Sequence, residues 1–115
     1  MSDLTVYEKP TCTTCRNLVT LLEERGIDFE RVNYHVDPLP AEKIRDLVRK
    51  TGGSAAELLR KREPAYKEHV EGRDLSEDDI VALMAKHPEL LQRPVVERGD
   101  RAVLARPVER VTELL

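Results

Sequence analysis

Leu4 and Val6 flank Thr5 and lead into Tyr7, a short apolar run that predicts a strand over Leu4–Tyr7. Glu8-Lys9-Pro10-Thr11 ends it, because proline brings no amide hydrogen to a ladder. From Thr13 to Arg25 the period changes. Cys15, Leu18, Val19, Leu21 and Leu22 fall on one broad face of a helix, and Gly26 stands where a left-handed cap is expected. Ile27 to Tyr34 predicts a second strand. After the Asp37-Pro38-Leu39-Pro40 loop, Ile44, Leu47 and Val48 mark a helix from Pro40 to Lys50. Thr51-Gly52-Gly53-Ser54 breaks it; Ser54 then caps a short helix to Leu59, with Glu57 completing a capping box. Pro64–His69 predicts another turn of helix. Ser76 followed by Glu77, Asp78 and Asp79 starts a helix running to Lys86, since acids suit a helix N-terminus. Pro94–Glu97 and Ala102–Leu104 predict strands around an Arg98-Gly99-Asp100 turn. Pro107 opens a last helix with Val108, Val111, Leu114 and Leu115 facing inward.

The order is β-α-β, a helical insert over residues 38–90, then β-β-α. The first pair of strands should be parallel and the last antiparallel, so the expected class is α/β with a mixed four-stranded sheet. No repeat, low-complexity tract or linker divides the chain, which reads as one domain over residues 1–115.

Composition narrows the function classes. Charged residues make up 36% of the 115, but the apolar positions are grouped and periodic, which favours a folded globule over disorder. A net charge of −3 without long single-sign blocks argues against direct nucleic-acid binding. No stretch approaches the roughly 20 apolar residues of a membrane span. Met1-Ser2-Asp3-Leu4 lacks the basic start of a secretion signal, so a cytoplasmic location is expected.

There are two cysteines, Cys12 and Cys15, in a CxxC motif between a strand and a helix start. Free amide hydrogens and the helix dipole stabilise an anion there, which sets up Cys12 as a thiolate nucleophile. Arg16 adds a positive charge nearby. Cys15, one turn further on the same side, can reach back to form a disulfide, or it can simply fill the apolar face of the helix. A closed zinc site needs four ligands, and His35, His69 and His87 are scattered without paired spacing, so no metal is expected. His35 reads as a surface residue, His87-Pro88 as a helix stop, and His69 has no assigned role. Gly52-Gly53 is a helix break and not a phosphate loop, because no Lys-Ser/Thr follows.

Tyr7, Pro10, Cys12, Cys15-Arg16-Asn17, Leu58-Leu59-Arg60-Lys61, His87-Pro88, Arg93-Pro94-Val95-Val96 and Leu104-x-Arg106-Pro107 follow one another in an order that resembles the glutaredoxin-dependent arsenate reductase family. Spx-type redox regulators belong to the same superfamily. The resemblance implies a thioredoxin-like fold and assigns oxyanion binding to Arg60, Arg93 and Arg106. Guanidinium groups suit that task, because each offers a planar fork of donors and keeps its proton. It also implies that Pro94 is a cis-proline beside the active cysteine. The implied reaction has Cys12 attack arsenate, or another oxyanion, with no tightly bound cofactor. Glutathione or a similar thiol serves as co-substrate, and glutaredoxin or thioredoxin completes the cycle.

Two departures matter. Cys15 stands where arsenate reductases of this family usually have another residue, whereas Spx-type regulators carry the CxxC. Cys15 could therefore resolve Cys12 internally. Glu8 stands where some relatives have a histidine, and a carboxylate close to Cys12 would disfavour its thiolate. The alternatives are an Spx-type regulator that binds RNA polymerase, with the cysteine pair as switch, and a general thiol-disulfide reductase.

Overall fold

The computed structural model describes residues 3–115. Met1 and Ser2, the start of the stretch read for a secretion signal, lie outside them. The strands are β1 (Leu4–Glu8), β2 (Glu30–Asn33), β3 (Val95–Arg98) and β4 (Arg101–Leu104), and the α-helices are α1 (Thr13–Glu24), α2 (Ala41–Thr51), α3 (Pro64–His69) and α4 (Glu77–Lys86). The sheet order is β2-β1-β3-β4. β1 runs parallel to β2, with Tyr7 opposite Val32, and antiparallel to β3, with Tyr7 opposite Val95. β3 and β4 form the antiparallel hairpin. This is the thioredoxin-like mixed sheet, with α2 to α4 inserted between β2 and β3.

Side-chain alternation sends the sheet's residues into two separate apolar cores. Leu4, Val6, Val96 and Val103 pack against Leu18 and Leu22 of α1 and against Val111. Tyr7, Val95 and Ala102 face the insert, where Ile44, Leu47, Ile80, Val81 and Met84 bury with Leu58, Leu59, Leu90 and Leu91. α2 is also tied down by charge. The Tyr7 hydroxyl donates to Glu97 Oε1 at 2.7 Å, Lys43 Nζ donates to both Glu97 oxygens at 2.8 and 2.9 Å, and Lys50 Nζ joins them.

Local chemistry explains the well-read elements. Gly26 takes a φ of 67° after α1 and Gly99 a φ of 59° in the hairpin, a region that side-chain-bearing residues rarely enter. At Ser76 the full capping box forms: the Asp79 N–H donates to Ser76 Oγ at 3.1 Å and the Ser76 N–H to Asp79 Oδ2 at 3.2 Å.

Three expectations are corrected. The short helix after Ser54 is a 3₁₀ segment, Ala55–Leu58, without a Ser54–Glu57 box. The Ala55 N–H instead donates to both oxygens of Glu77 at 3.0 Å, and the Glu57 carboxylate lies against Gly53. The second strand is shorter than Ile27–Tyr34, because Ile27 is used to close α1, its N–H donating to Leu22 O at 3.0 Å. The C-terminal segment Val108–Leu114 is 3₁₀ and not α. At three residues per turn, Val108, Val111 and Leu114 line up on the core side, and Leu115 turns outward, 46% exposed.

One isolated antiparallel bridge joins the insert to the segment before β3, with Leu59 opposite Leu91. The Arg60 N–H donates to Leu90 O at 2.7 Å and the Gln92 N–H to Leu58 O at 2.8 Å. Nothing in the hydrophobic pattern announced this pairing, yet it sets Arg60 beside Gln92 and Arg93.

Candidate active site

Cys12 is the N-cap of α1, with extended backbone angles of −78° and 126°. Its N–H donates to Lys9 O at 2.9 Å, and its C=O accepts from the Arg16 N–H at 3.0 Å. No acid occupies the helix's first turn, so the free N–H groups of that turn face the Cys12 sulfur without competition. Burial opposes ionisation of Cys12. The Cys15 backbone N–H, the Cys15 thiol and the Arg93 guanidinium favour it and prevail, so the pKa lies below the ordinary thiol value.

Cys15 goes the other way. It is 0% exposed and belongs to the core face of α1. Burial is the main force on its thiol; a backbone hydrogen bond from Lys9 works against it, and the Cys12 sulfur and the Glu8 charge add to it, so the pKa is pushed up to about 12. Both cysteines are free thiols in this structure. One turn of helix thus holds a thiolate-favoured sulfur and, beside it, a firmly protonated one.

Glu8, the feared anionic neighbour, is itself fully enclosed and ion-paired. Arg31 of the adjacent strand grips it through Nε and through Nη2, the latter at 3.1 Å from Oε1. Its charge is felt at Cys15 and is not among the main influences on Cys12. The Arg16 side chain is exposed and makes no hydrogen bond or ion pair among the described residues. The principal charge acting on Cys12 is Arg93, not the adjacent Arg16.

Arg93 is 6% exposed, directly before Pro94, and the Arg93–Pro94 peptide bond is cis. The Arg106–Pro107 bond is cis as well, which the sequence did not signal. Burial alone would lower the Arg93 pKa, but Tyr34 and the Cys12 sulfur outweigh it and raise the value further. Its Nε and Nη1 are buried without a hydrogen-bond partner among the described residues. The nearest anion to Nη1 is Glu63 Oε1, at 4.0 Å. Buried N–H groups without partners are costly, so this guanidinium is shaped for an acceptor arriving from outside.

The other two arginines converge on Arg93 by different routes. Arg60 Nε donates to the same Glu63 Oε1 at 2.9 Å, and its Nη1 reaches Gln92 Oε1 at 3.5 Å. Arg106 Nη1 donates to the Arg93 backbone O at 3.0 Å. Arg60, Gln92 and Arg106 line one open cleft of about 370 Å³. Segments around residues 60, 93 and 106 therefore meet at one place, adjoining the head of α1.

Sequence reasoning passed over two residues here. Glu63 links Arg60 to Arg93, and Tyr34, whose hydroxyl donates to Leu91 O at 2.7 Å, is near enough to Arg93 for the two to influence each other's ionisation. His35 is half-buried, which corrects the surface reading: its Nε2 is enclosed without a partner, and burial, then the charges of Arg93 and Lys9, lower its pKa. The remaining histidines lie elsewhere. His87 caps the C-terminus of α4, and His69 stacks on it with ring centroids 4.4 Å apart. Among the described residues no three of His, Cys, Asp and Glu gather where they could hold a metal ion, and no helix is long and apolar enough to cross a membrane.

The ArsC family model matches residues 7–114. YfgD, an uncharacterized protein of Escherichia coli K12, is 37% identical over 112 residues, covering 96% of this chain and 94% of its own. An arsenate reductase of Neisseria meningitidis serogroup B is 33% identical over 117 residues, covering 100% of both chains. Among solved structures, arsenate reductase from Vibrio cholerae superposes with a TM-score of 0.92 at 33% identity over 97% of each chain.

Proposed function

Because the chain belongs to the ArsC family, we propose that it is an arsenate reductase-like thiol oxidoreductase in which Cys12 is the nucleophile and Arg60, Arg93 and Arg106 hold the oxyanion. The observation that carries the reading is the buried Arg93 guanidinium, with Nε and Nη1 unpaired, beside a sulfur whose ionisation it promotes.

The chemistry follows from charge. Arsenate and a thiolate are both anions and repel one another. Arg93 stabilises the thiolate before the encounter and then offers the incoming oxygens two buried donors. The sulfur bonds to arsenic, and one oxygen leaves as water after taking protons. A second thiol, glutathione or a similar small one, then supplies the remaining electrons. Arsenic(V) becomes arsenic(III) as two thiols end as one disulfide, arsenite is released, and a glutaredoxin or thioredoxin returns the disulfide to thiols. No tightly bound cofactor is required. The free cysteine pair suits a reducing compartment such as the cytoplasm.

A second reading, a thiol-disulfide reductase that uses Cys12 and Cys15, is favoured by one observation: the two free thiols are close enough for Cys15 to promote ionisation of Cys12. A polymerase-binding regulator would leave the guanidinium cluster without a task. Arsenite production from arsenate with glutathione and glutaredoxin, wild type beside Cys12→Ser, tests the proposal. Turnover by wild type alone supports it. No arsenite from wild type, with disulfide reduction intact, replaces it by the second reading.

A further inference from the structure

A carboxylate stands between two of the arginines assigned to the oxyanion. Glu63 Oε1 accepts from Arg60 Nε at 2.9 Å and lies 4.0 Å from Arg93 Nη1. Among the described residues it is the one carboxylate within ion-pair reach of Arg93. Glu8 is gripped by Arg31, and Glu89 Oε1 faces His87 Nδ1 at 3.7 Å, so neither of those acids pairs with Arg93. Local backbone keeps Glu63 in this position. It is the N-cap of α3, with Pro64 at the first helical position, and its N–H donates to Arg60 O at 3.5 Å. An N-cap side chain usually accepts a hydrogen bond from its own helix. The Glu63 side chain makes no such bond and turns to the guanidinium groups instead.

The separation decides what fits. Arg93 Nη1 is buried without a hydrogen-bond partner, and 4.0 Å is too long for a direct bond to Glu63. One oxygen atom bridges such a gap. It can accept from Nη1 at about 2.8 Å and lie about 2.6 Å from Oε1, with an angle of roughly 90° between the two. That oxygen must bring a proton, because a carboxylate only accepts. A hydroxyl donates to Oε1, whereas a bare anionic oxygen sets two negative charges in contact. The Glu63 side chain is only 23% exposed, so water screens that contact incompletely. Near neutral pH arsenate and phosphate keep at least one hydroxyl, and sulfate keeps none.

We infer that Glu63 makes this anion site select tetrahedral oxyanions that bear a hydroxyl and reject those that bear none. This rests on the oxyanion reading above and adds a specificity to it. Guanidinium groups alone attract any small anion; Glu63 admits the one that can donate to it. Phosphate carries the same hydroxyls as arsenate and passes the same filter, which makes it a probe that thiols do not reduce.

Inorganic phosphate and sulfate, each titrated calorimetrically into the full chain at neutral pH and constant ionic strength, test the inference. Wild type should prefer phosphate by on the order of a hundredfold, less than a fully enclosed hydroxyl-reading site achieves. In Glu63→Gln the amide can turn its N–H toward the anion, so sulfate should bind about tenfold more tightly, with little gain for phosphate. Sulfate should then inhibit arsenite production by Glu63→Gln far more than by wild type. A residue that only holds Arg60 in place would move both affinities together. Equal factors for the two anions in Glu63→Gln therefore overturn the inference, and so does a wild type that binds sulfate as well as phosphate, or binds neither. The wild-type ratio is read without any variant. A wild type that makes arsenite while binding both anions alike sinks the selectivity and leaves the arsenate reading. Selective binding by a protein that makes no arsenite upholds the selectivity and sinks the arsenate reading alone.

Discussion

The two halves of the candidate site are built in opposite ways. The sulfur half is contiguous: Glu8 through Arg16 supply the strand end, the turn, the N-cap and both cysteines, and the helix itself provides the anion-stabilising N–H groups. The cationic half is assembled. Arg60 comes from the insert, Arg93 from the approach to β3, and Arg106 from beyond β4; one carboxylate and one carbonyl hold them together. The backbone of the first half is laid out by local folding, with Arg93 and Arg31 adding their charges from elsewhere. The second exists only when the insert is docked on the sheet. A thiolate-favoured cysteine is therefore the general part of the site, and the guanidinium cluster that the proposed oxyanion chemistry calls for is what the tertiary structure adds.

That contrast can be broken from either side. Cys12→Ser removes the nucleophile itself and should cut arsenite production by on the order of a thousandfold or more, measured as turnover with saturating thiol. Arg93→Ala leaves the sulfur half whole but removes the donor common to both halves; a loss of roughly a hundredfold in kcat/KM is expected, as for other preorganised donors to developing charge. The same variant sharpens the comparison through pH. In wild type the Cys12 pKa is lowered, so the thiolate form, and with it the alkylation rate by iodoacetamide, should persist below the ordinary thiol range. Without Arg93 one of the forces lowering it is gone, and the alkylation curve should move to higher pH.

Arg106→Ala tests the assembled half more gently. Losing its bond to the Arg93 carbonyl should let Arg93 shift and raise KM for arsenate by about tenfold, with the Cys12 pH curve little changed. The smallest effect concerns Glu8→Gln. The Glu8 charge acts on Cys15, so the Cys15 pKa should fall from about 12 while Cys12 stays put, a difference readable by NMR titration of the two Cβ carbons. Movement of Cys12 instead would mean that the carboxylate does reach the nucleophile.

Legibility in the sequence follows the same division. β1, α1, the Gly26 and Gly99 turns and the Ser76 cap could be read because each depends on neighbours a few residues away. The Ser54 cap was misread because Glu77, from a different helix, takes the Ala55 N–H, while the Glu57 N–H goes to the Ser54 backbone O and not to its side chain. The last segment was given the wrong helix type because Val108, Val111 and Leu114 fit both a 3₁₀ turn and an α-helical face. Cys12 could be singled out from its motif alone, whereas Arg60, Arg93 and Arg106 are three of 13 arginines and were named only through a family resemblance. Glu63, Tyr34 and His35 carried no local mark at all; what distinguishes them is what they touch after folding.

The lone Leu59–Leu91 pairing acts as a ruler between two charges. In extended backbone, sliding one partner by a single residue turns every following side chain to the opposite face. A slip of that size would carry Arg60 and Glu63 away from Gln92 and Arg93 while leaving each helix of the insert intact. Shuffling such inserts among kindred proteins should thus succeed or fail on whether two leucines still meet, whatever the length or composition of the loops between them.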